Sequence, residues 1–501
     1  MSTCPQANQS RFEDAAAGLA AGMVVVVALL LVAQLEAPAV VPEAAVPEAA
    51  VPAPVVVDER AAELQAMKER IEALEDDLDE VLGELDRQAA AKDRDRLHWS
   101  GDYRVIWNHF HQYDRAVVDD AGAFYPNLWS HRLRLGLSYD VLDRVRFSGR
   151  IVFYKNFGET IERPLFFDSV QTRLARDSVL RIERAYIDWF ITDWLVLTAG
   201  RIAAPEGPPA ELKENTTRSA TWGVQVVEAE FDGVMITMYT PEIPGLKQTY
   251  VRPFYLPFHS TTDVDPFAED SQFIDIGIAP MQGFGLLAET GIAALGDNLI
   301  QLGGVWVPEF KPRFLPILQT FPKAPFAESL GWFIQLSALF EQKDLFSTHL
   351  DLFVAWNFTI LGPSGDTILY DFGDGFQLPA GLASFDDKTE HTAHMIYAGT
   401  RYTVPLPGEA AAYSPRLGLE VNHGTKYNTL FSSPADTKIN KLGVRGSVID
   451  VYWNQPLVPD HLFSRVGVMH VMRDFDGSFV GPSLPTSTST TALQVLLHAS
   501  W

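Results

Sequence analysis

The chain has 501 residues, a formal net charge of −25 and 47% hydrophobic residues, enough for a very large core or a large barrel. The acidic balance argues against nucleic acid as a partner, because its phosphates would be repelled. The single cysteine, Cys4, excludes an intramolecular disulfide, a CxxCH haem site and cysteine-based zinc sites.

Residues 15–35 form an uncharged apolar run behind a short segment carrying Arg11, Glu13 and Asp14. With Ala37-Pro38-Ala39 after it, the pattern predicts a secretory signal over 1–36, or, if uncleaved, an inner membrane anchor. Cys4 precedes the run, so it is not placed as a lipoprotein cysteine. Residues 37–57 repeat Pro-Glu-Ala-Ala-Val and lack any period that could bury a face, which predicts an extended, semi-rigid spacer.

Residues 58–96 change character. Leu64, Met67, Ile71, Leu74, Leu78, Val81 and Leu85 alternate in steps of three and four, a heptad seam without an interrupting proline. A lone amphipathic helix would leave that seam exposed, so a coiled coil follows, with self-association or docking. A homotrimer is the natural expectation. Beyond residue 40 no apolar run reaches the ~18 residues of a spanning helix.

From residue 97 to 501 the text is strands and loops. Arg132-Leu133-Arg134-Leu135-Gly136-Leu137 and, after Asp143, Arg144-Val145-Arg146-Phe147-Ser148-Gly149-Arg150-Ile151 put apolar side chains on one face and arginines on the other. Between them Val141 to Arg144 reads as a tight turn. Trp332, Ile334, Leu336, Ala338 and Phe340 form another such face, as do Leu350, Leu352, Val354, Trp356, Phe358 and Ile360. Short turns at 142–143 and 192–193 contrast with long polar segments near 114–128, 157–180, 240–270, 308–328, 362–390 and 425–440. One apolar face facing lipid, a polar interior and short turns against long loops are the marks of a transmembrane antiparallel β-barrel of about 16 strands, within a range of about 14–18. Aromatics at 11%, including 11 Trp, suit its interfacial girdles.

The last strand closes the pattern. Thr491, Leu493, Val495, Leu497, Ala499 and Trp501 share one side, and Thr490, Ala492, Gln494, Leu496, His498 and Ser500 the other. An edge strand of a soluble β-sandwich reads similarly. With its terminal aromatic, the strand resembles the C-terminal signal by which outer-membrane barrels meet their assembly machinery, carried here by Leu493, Val495, Leu497 and Trp501.

The stretch Arg181 to Glu211, RIERAYIDWFITDWLVLTAGRIAAPEGPPAE, is similar to porin hairpins: a strand ending in AYIDW, a two-residue turn, a strand ending in AGR. GPPAEL, together with Ser100 to Arg104 (SGDYR) after a coiled coil, resembles an uncharacterised family of bacterial outer-membrane porins. That resemblance covers nearly the whole chain. It implies a signal peptide, a short periplasmic coiled coil and a barrel, and brings no substrate with it. The proline-alanine spacer and the final Trp, where Phe is commoner, depart from the family's pattern.

Arg132, Arg134, Arg144, Arg146 and Arg150 lie opposite the apolar faces of two adjacent strands, so they are expected to project into the lumen together. Arg184 on the next strand extends the set, with Arg181, or pairs with Glu183 and Asp188. Such arginines either set a field across a pore or form salt bridges in a packed lumen. Pro308 to Pro325 carries five prolines and is either an external loop or a constriction folded into the lumen. Asp263 and Asp265, and Asp366, Asp371, Asp374, Asp386 and Asp387, read as solvated loops without EF-hand spacing. His109 and His111 share one strand face with Trp107 and Tyr113, a girdle before half a metal site. No GxSxG, HExxH, P-loop or GxGxxG context occurs, and Asp371-Phe372-Gly373 stands without other kinase elements, so neither enzyme nor cofactor is expected. The reading is an outer-membrane porin passing small hydrophilic solutes or ions by diffusion. Its rivals are a plugged barrel that tethers the envelope, and a sheath for an electron-transfer cytochrome.

Overall fold

Two-residue alternation resolves into one sheet that closes on itself. The computed structural model describes residues 70, 96–117, 122–156, 179–203, 206–228, 230–258, 281–310, 329–371, 377–384, 388–429, 431–432, 439, 441–476 and 482–501. The chain divides into a unit of residues 1–84, in which only Arg70 is described and is helical, and a unit of residues 85–501. The expected signal, spacer and coiled-coil seam lie outside the described residues.

The wall of the second unit begins with β1 (Leu97–Asp114), β2 (Ala123–Leu142), β3 (Val145–Asn156), β4 (Val179–Thr192) and β5 (Leu195–Ala203). It continues with β6 (Glu230–Tyr239), β7 (Tyr250–Phe258), β8 (Met281–Thr290), β9 (Asn298–Val307), β10 (Gly331–Gln342) and β11 (Leu350–Pro363). The circle is completed by β12 (His391–Thr403), β13 (Arg416–Gly424), β14 (Arg445–Val458), β15 (Leu462–Asp476) and β16 (Thr488–Ser500). Each strand pairs antiparallel with its neighbour in the chain, and β16 pairs with β1 from Asp102↔Ser500 to Asp114↔Thr488. The result is a closed 16-strand barrel; Leu484–Pro485 adds two residues beside β15. Closure leaves no open edge, as a sheet in hydrocarbon requires, and rules out the sandwich alternative.

Side chains divide cleanly between the two faces. On β10 Phe333, Gln335, Ser337, Leu339 and Glu341 are buried inside, while Leu336 is exposed outside. Leu135, Ile151, Leu302, Val354, Ile396 and Val468 extend that exposed apolar exterior. On β16 Val495, Leu497 and Trp501 face outward, and Ala492, Gln494, Leu496 and His498 are buried. His111 stacks on Phe124 at 4.2 Å and His109 lies 6.2 Å from Trp107, an aromatic surface around these histidines.

Turns 143–144, 193–194 and 459–461 lie at the barrel end that also holds the start of β1 and the end of β16. The connections at the opposite end run over 157–178, 204–229, 259–280, 308–330, 364–390 and 425–444. Two of the expected long loops need correction. Polar segment 114–128 overlaps the start of β2, and 240–270 contains the whole of β7. Pro253 and Pro257 disguised β7, because proline cannot donate to a ladder. Its pairing with β8 is continuous, whereas the ladder to β6 is interrupted opposite Pro253.

Candidate functional site

The segment between β5 and β6 turns into the barrel. Glu206 adopts a left-handed conformation (φ 59°), a five-residue helix α1 (Ala210–Glu214) follows, and Asn215 ends it at φ 54°. Neither Pro208-Pro209 nor the run after it alternates, so the segment cannot extend a strand. Inside, Trp222 and Val226 pack with Met235, Phe254, Leu287 and Phe333. Leu212 and Val224 pack with Leu339, Phe353, Met395 and Tyr397. Apolar residues on the inner face therefore find their partners in the inserted chain rather than in water.

Polar anchors bind the segment to strands around the circle. Glu206 accepts from Arg132, from Arg134 at 2.5 Å and from Arg104 at 3.3 Å. Arg132 also reaches Asp102 at 2.9 Å, and Arg134 reaches Glu183 at 2.8 Å. Glu214 pairs with Arg104 at 2.6 Å and Arg465 at 3.1 Å, and Lys213 pairs with Asp450. Arg401 donates to the Leu212 carbonyl at 2.8 Å, and Arg218 holds Glu289 at 2.5 Å. Gln335 donates to the carbonyls of Gln225 and Val226.

Electrostatics follow from this convergence. Burial by itself would raise the Glu206 carboxyl, but the guanidinium groups of Arg132, Arg134 and Arg104 outweigh it and hold it well below the usual carboxylate range. Glu214 is likewise brought down to about 2, Arg104 and Arg465 overcoming burial. Burial lowers the Lys213 ammonium despite Asp450 beside it.

A second inserted stretch, described at 425–429, 431–432, 439 and 441–444, meets the first. Phe431–Ser432 pairs in parallel with Val227–Glu228. Lys441 bonds Glu420 and lies 3.4 Å from Asp450, and Asn428 donates to the carbonyls of Leu442 and Val444 at 2.9 and 3.1 Å.

The arginines nominated from the sequence separate into two groups. Arg132, Arg134, Arg150 and Arg184 come together inside. Arg150 pairs with Glu183, and both Arg150 and Arg184 donate to the Ser219 hydroxyl, at 3.2 and 2.9 Å. A register shift between β3 and β4, where Arg150 pairs with Arg184 and Ile151 with Ile182, leaves Glu183 extra and turns it inward beside Arg184. Arg144 does not join the lumen: it belongs to turn 143–144 and donates to the Ile191 carbonyl at 2.9 Å. Arg146 is half exposed at the rim, paired with Asp140 at 2.6 Å. Sequence reasoning missed Glu206, Lys213, Glu214, Arg104, Arg401 and Arg465. The available signal was a proline-broken, non-alternating stretch between two good strands. Of Pro308 to Pro325, read from the sequence as an external loop or a constriction, residues 311–325 lie outside the described residues, and Phe310 is buried against Phe333.

At the short-turn end, between the inserted segment and the wall, lies a cavity of about 680 Å³. Arg184, Arg218, Arg416, Thr216, Thr217 and Glu206 are among its lining residues. No group of three or more His, Cys, Asp or Glu is arranged to hold a metal among the described residues. Asp263, Asp265, Asp374, Asp386 and Asp387 lie outside them.

Solved structures similar to the chain include OprB of Pseudomonas putida, at 13% identity and TM-score 0.46, covering 82% of this chain and 96% of that one. The anion-selective porin of Comamonas acidovorans is similar at 10% identity and TM-score 0.42, with 81% and 99% covered. The outer-membrane channel DcaP of Acinetobacter baumannii is similar at 11% identity and TM-score 0.41, with 81% and 97% covered. Among curated proteins none matches. Residues 125–255 and 319–493 match the model of a family described as a protein of unknown function, DUF3373, and the chain belongs to that family.

Proposed function

We propose that the protein is an outer-membrane channel of the porin kind, passing small hydrophilic solutes or ions passively and performing no chemistry on them. One observation carries this reading: a closed barrel with an apolar exterior keeps its charged side chains on the inside, where they serve no purpose toward lipid. Insertion would follow recognition of β16 by the barrel-assembly machinery through Leu493, Val495, Leu497 and Trp501. Its short-turn end would face the periplasm, with residues 58–96 there as a coiled coil joining three copies.

In this reading the segment 206–226 is the constriction. Arg132, Arg134, Arg150 and Arg184 both hold that segment and face what passes it, which merges the two roles the sequence left open. Planar-bilayer recording tests the reading, with stepwise openings expected from the purified chain. Their absence at every voltage would favour the plugged-barrel alternative, which the apolar packing of Trp222 and Leu212 inside the barrel also supports.

A further inference from the structure

We propose that the cavity at the short-turn mouth binds small oxyanions, carboxylates or phosphates, through the guanidinium groups of Arg184 and Arg416 and the hydroxyls of Thr216 and Thr217. The proposal rests on the channel reading and names the solute class that such a channel favours.

Four observations converge. The cavity, at about 680 Å³, has the size of a small-molecule site. Its lining carries cationic side chains in twice the number of carboxylates. The carboxylates that neutralise Arg150, Arg218 and Arg401 are Glu183, Glu289 and Asp351, and none of these three lines the cavity. Asp102 and Glu206, which pair with Arg132 and Arg134, do line it, so the cationic excess a solute meets comes from Arg150, Arg218 and Arg401 and from Arg184 and Arg416.

The last two form no salt bridge among the described residues. The acids that act on them, Glu183 and Glu206 on Arg184 and Asp351 and Asp460 on Arg416, lie beyond ion-pair distance. Arg184 spends one nitrogen on Ser219, and Arg416 begins β13 at the mouth. A guanidinium fork presents parallel N–H donors matched to a carboxylate or phosphate edge. Thr216 and Thr217, on the inserted segment just after α1, line the same space with hydroxyl donors. The chain's net charge of −25 does not override this arrangement, since exposed charges beyond ~8 Å are screened at physiological salt.

Equilibrium dialysis of the full chain in detergent, with inorganic phosphate and with succinate as probes at physiological ionic strength, tests the site. Saturable binding is expected, weakened at least tenfold in the Arg184→Gln/Arg416→Gln double variant. Arg416→Gln alone, which removes no described ion pair, is expected to weaken it severalfold and serves if the double variant does not fold. Lys247→Gln, a cation of the same barrel end outside the cavity, should leave binding unchanged. Absence of saturable binding by the folded wild-type chain overturns the proposal, as does equal weakening by Lys247→Gln. Conductance recorded in parallel separates the two readings. Openings without anion binding remove this site and leave the channel; binding without openings removes the channel and leaves the site.

Discussion

Glu206 and Glu214 carry the interior's charge economy. Each is a carboxylate from the inserted segment facing two or more arginines of the wall, and Arg104 touches both. Pairs buried this deeply add little net stability when intact, yet breaking one leaves an uncompensated charge at a cost of about 3–5 kcal/mol. That asymmetry gives a pH signature. The Glu214 carboxyl is ordinarily near 4.5 and is held at about 2 in the fold. A depressed carboxylate contributes its stability in full above the unfolded value and loses it as pH falls through the folded one. Thermal unfolding in detergent should therefore show the wild-type chain losing stability from about pH 4.5 down to about 2. Glu214→Gln should be less stable at neutral pH and flatter across that interval. A variant with the wild-type acid slope would take this carboxylate out of the account.

At the scale of elements, the barrel strands and the inserted segments obey different rules. A strand must alternate because one face meets lipid, and the alternation of β10, β11 and β16 was readable residue by residue. Where bulky rings lie over the ladder, the neighbouring strand gives way to glycine. A Cβ at Gly418 would lie 2.0 Å from the Tyr452 ring, and one at Gly285 would lie 1.9 Å from that of Phe254. The 206–226 segment has no such periodicity, since its order comes from long-range partners: Lys213 meets Asp450, and Arg218 meets Glu289. Its character as a constriction is testable by replacing 207–224 with a short Gly-Ser linker. The wall keeps all its ladders, so the barrel is expected to form, with single-channel conductance raised severalfold. Conductance at the wild-type level would show that the narrowest passage is elsewhere.

For the whole molecule the decisive joint is the seam between first and last strands. Trp501 exchanges two backbone hydrogen bonds with Gly101, each 3.0 Å, and its indole lies where a Cβ on Gly101 would be, at 2.5 Å. The terminal aromatic thus extends the β16–β1 ladder at the short-turn end. Deleting Trp501 is expected to reduce the fraction of chain reaching the folded, membrane-inserted form several-fold, read as loss of the heat-modifiable species on gels of outer-membrane fractions. Full recovery of that species would leave Trp501 without a part in assembly.

Strand period, apolar exterior, turn asymmetry and strand number were written locally, in side chains whose environment repeats every second residue, and the sequence by itself determined them. It also located Arg132, Arg134, Arg150 and Arg184 on the inner face, because face follows from parity. Parity says nothing of depth or partner, so Arg144 and Arg146 carried the same signature while belonging to the turn and the rim. What fills the barrel was decided only by tertiary structure. Glu206 meets Arg132, 74 positions away, and Arg465 meets Glu214 at a separation of 251. Contacts at such separations depend on where closure brings strands together, and no local pattern records that.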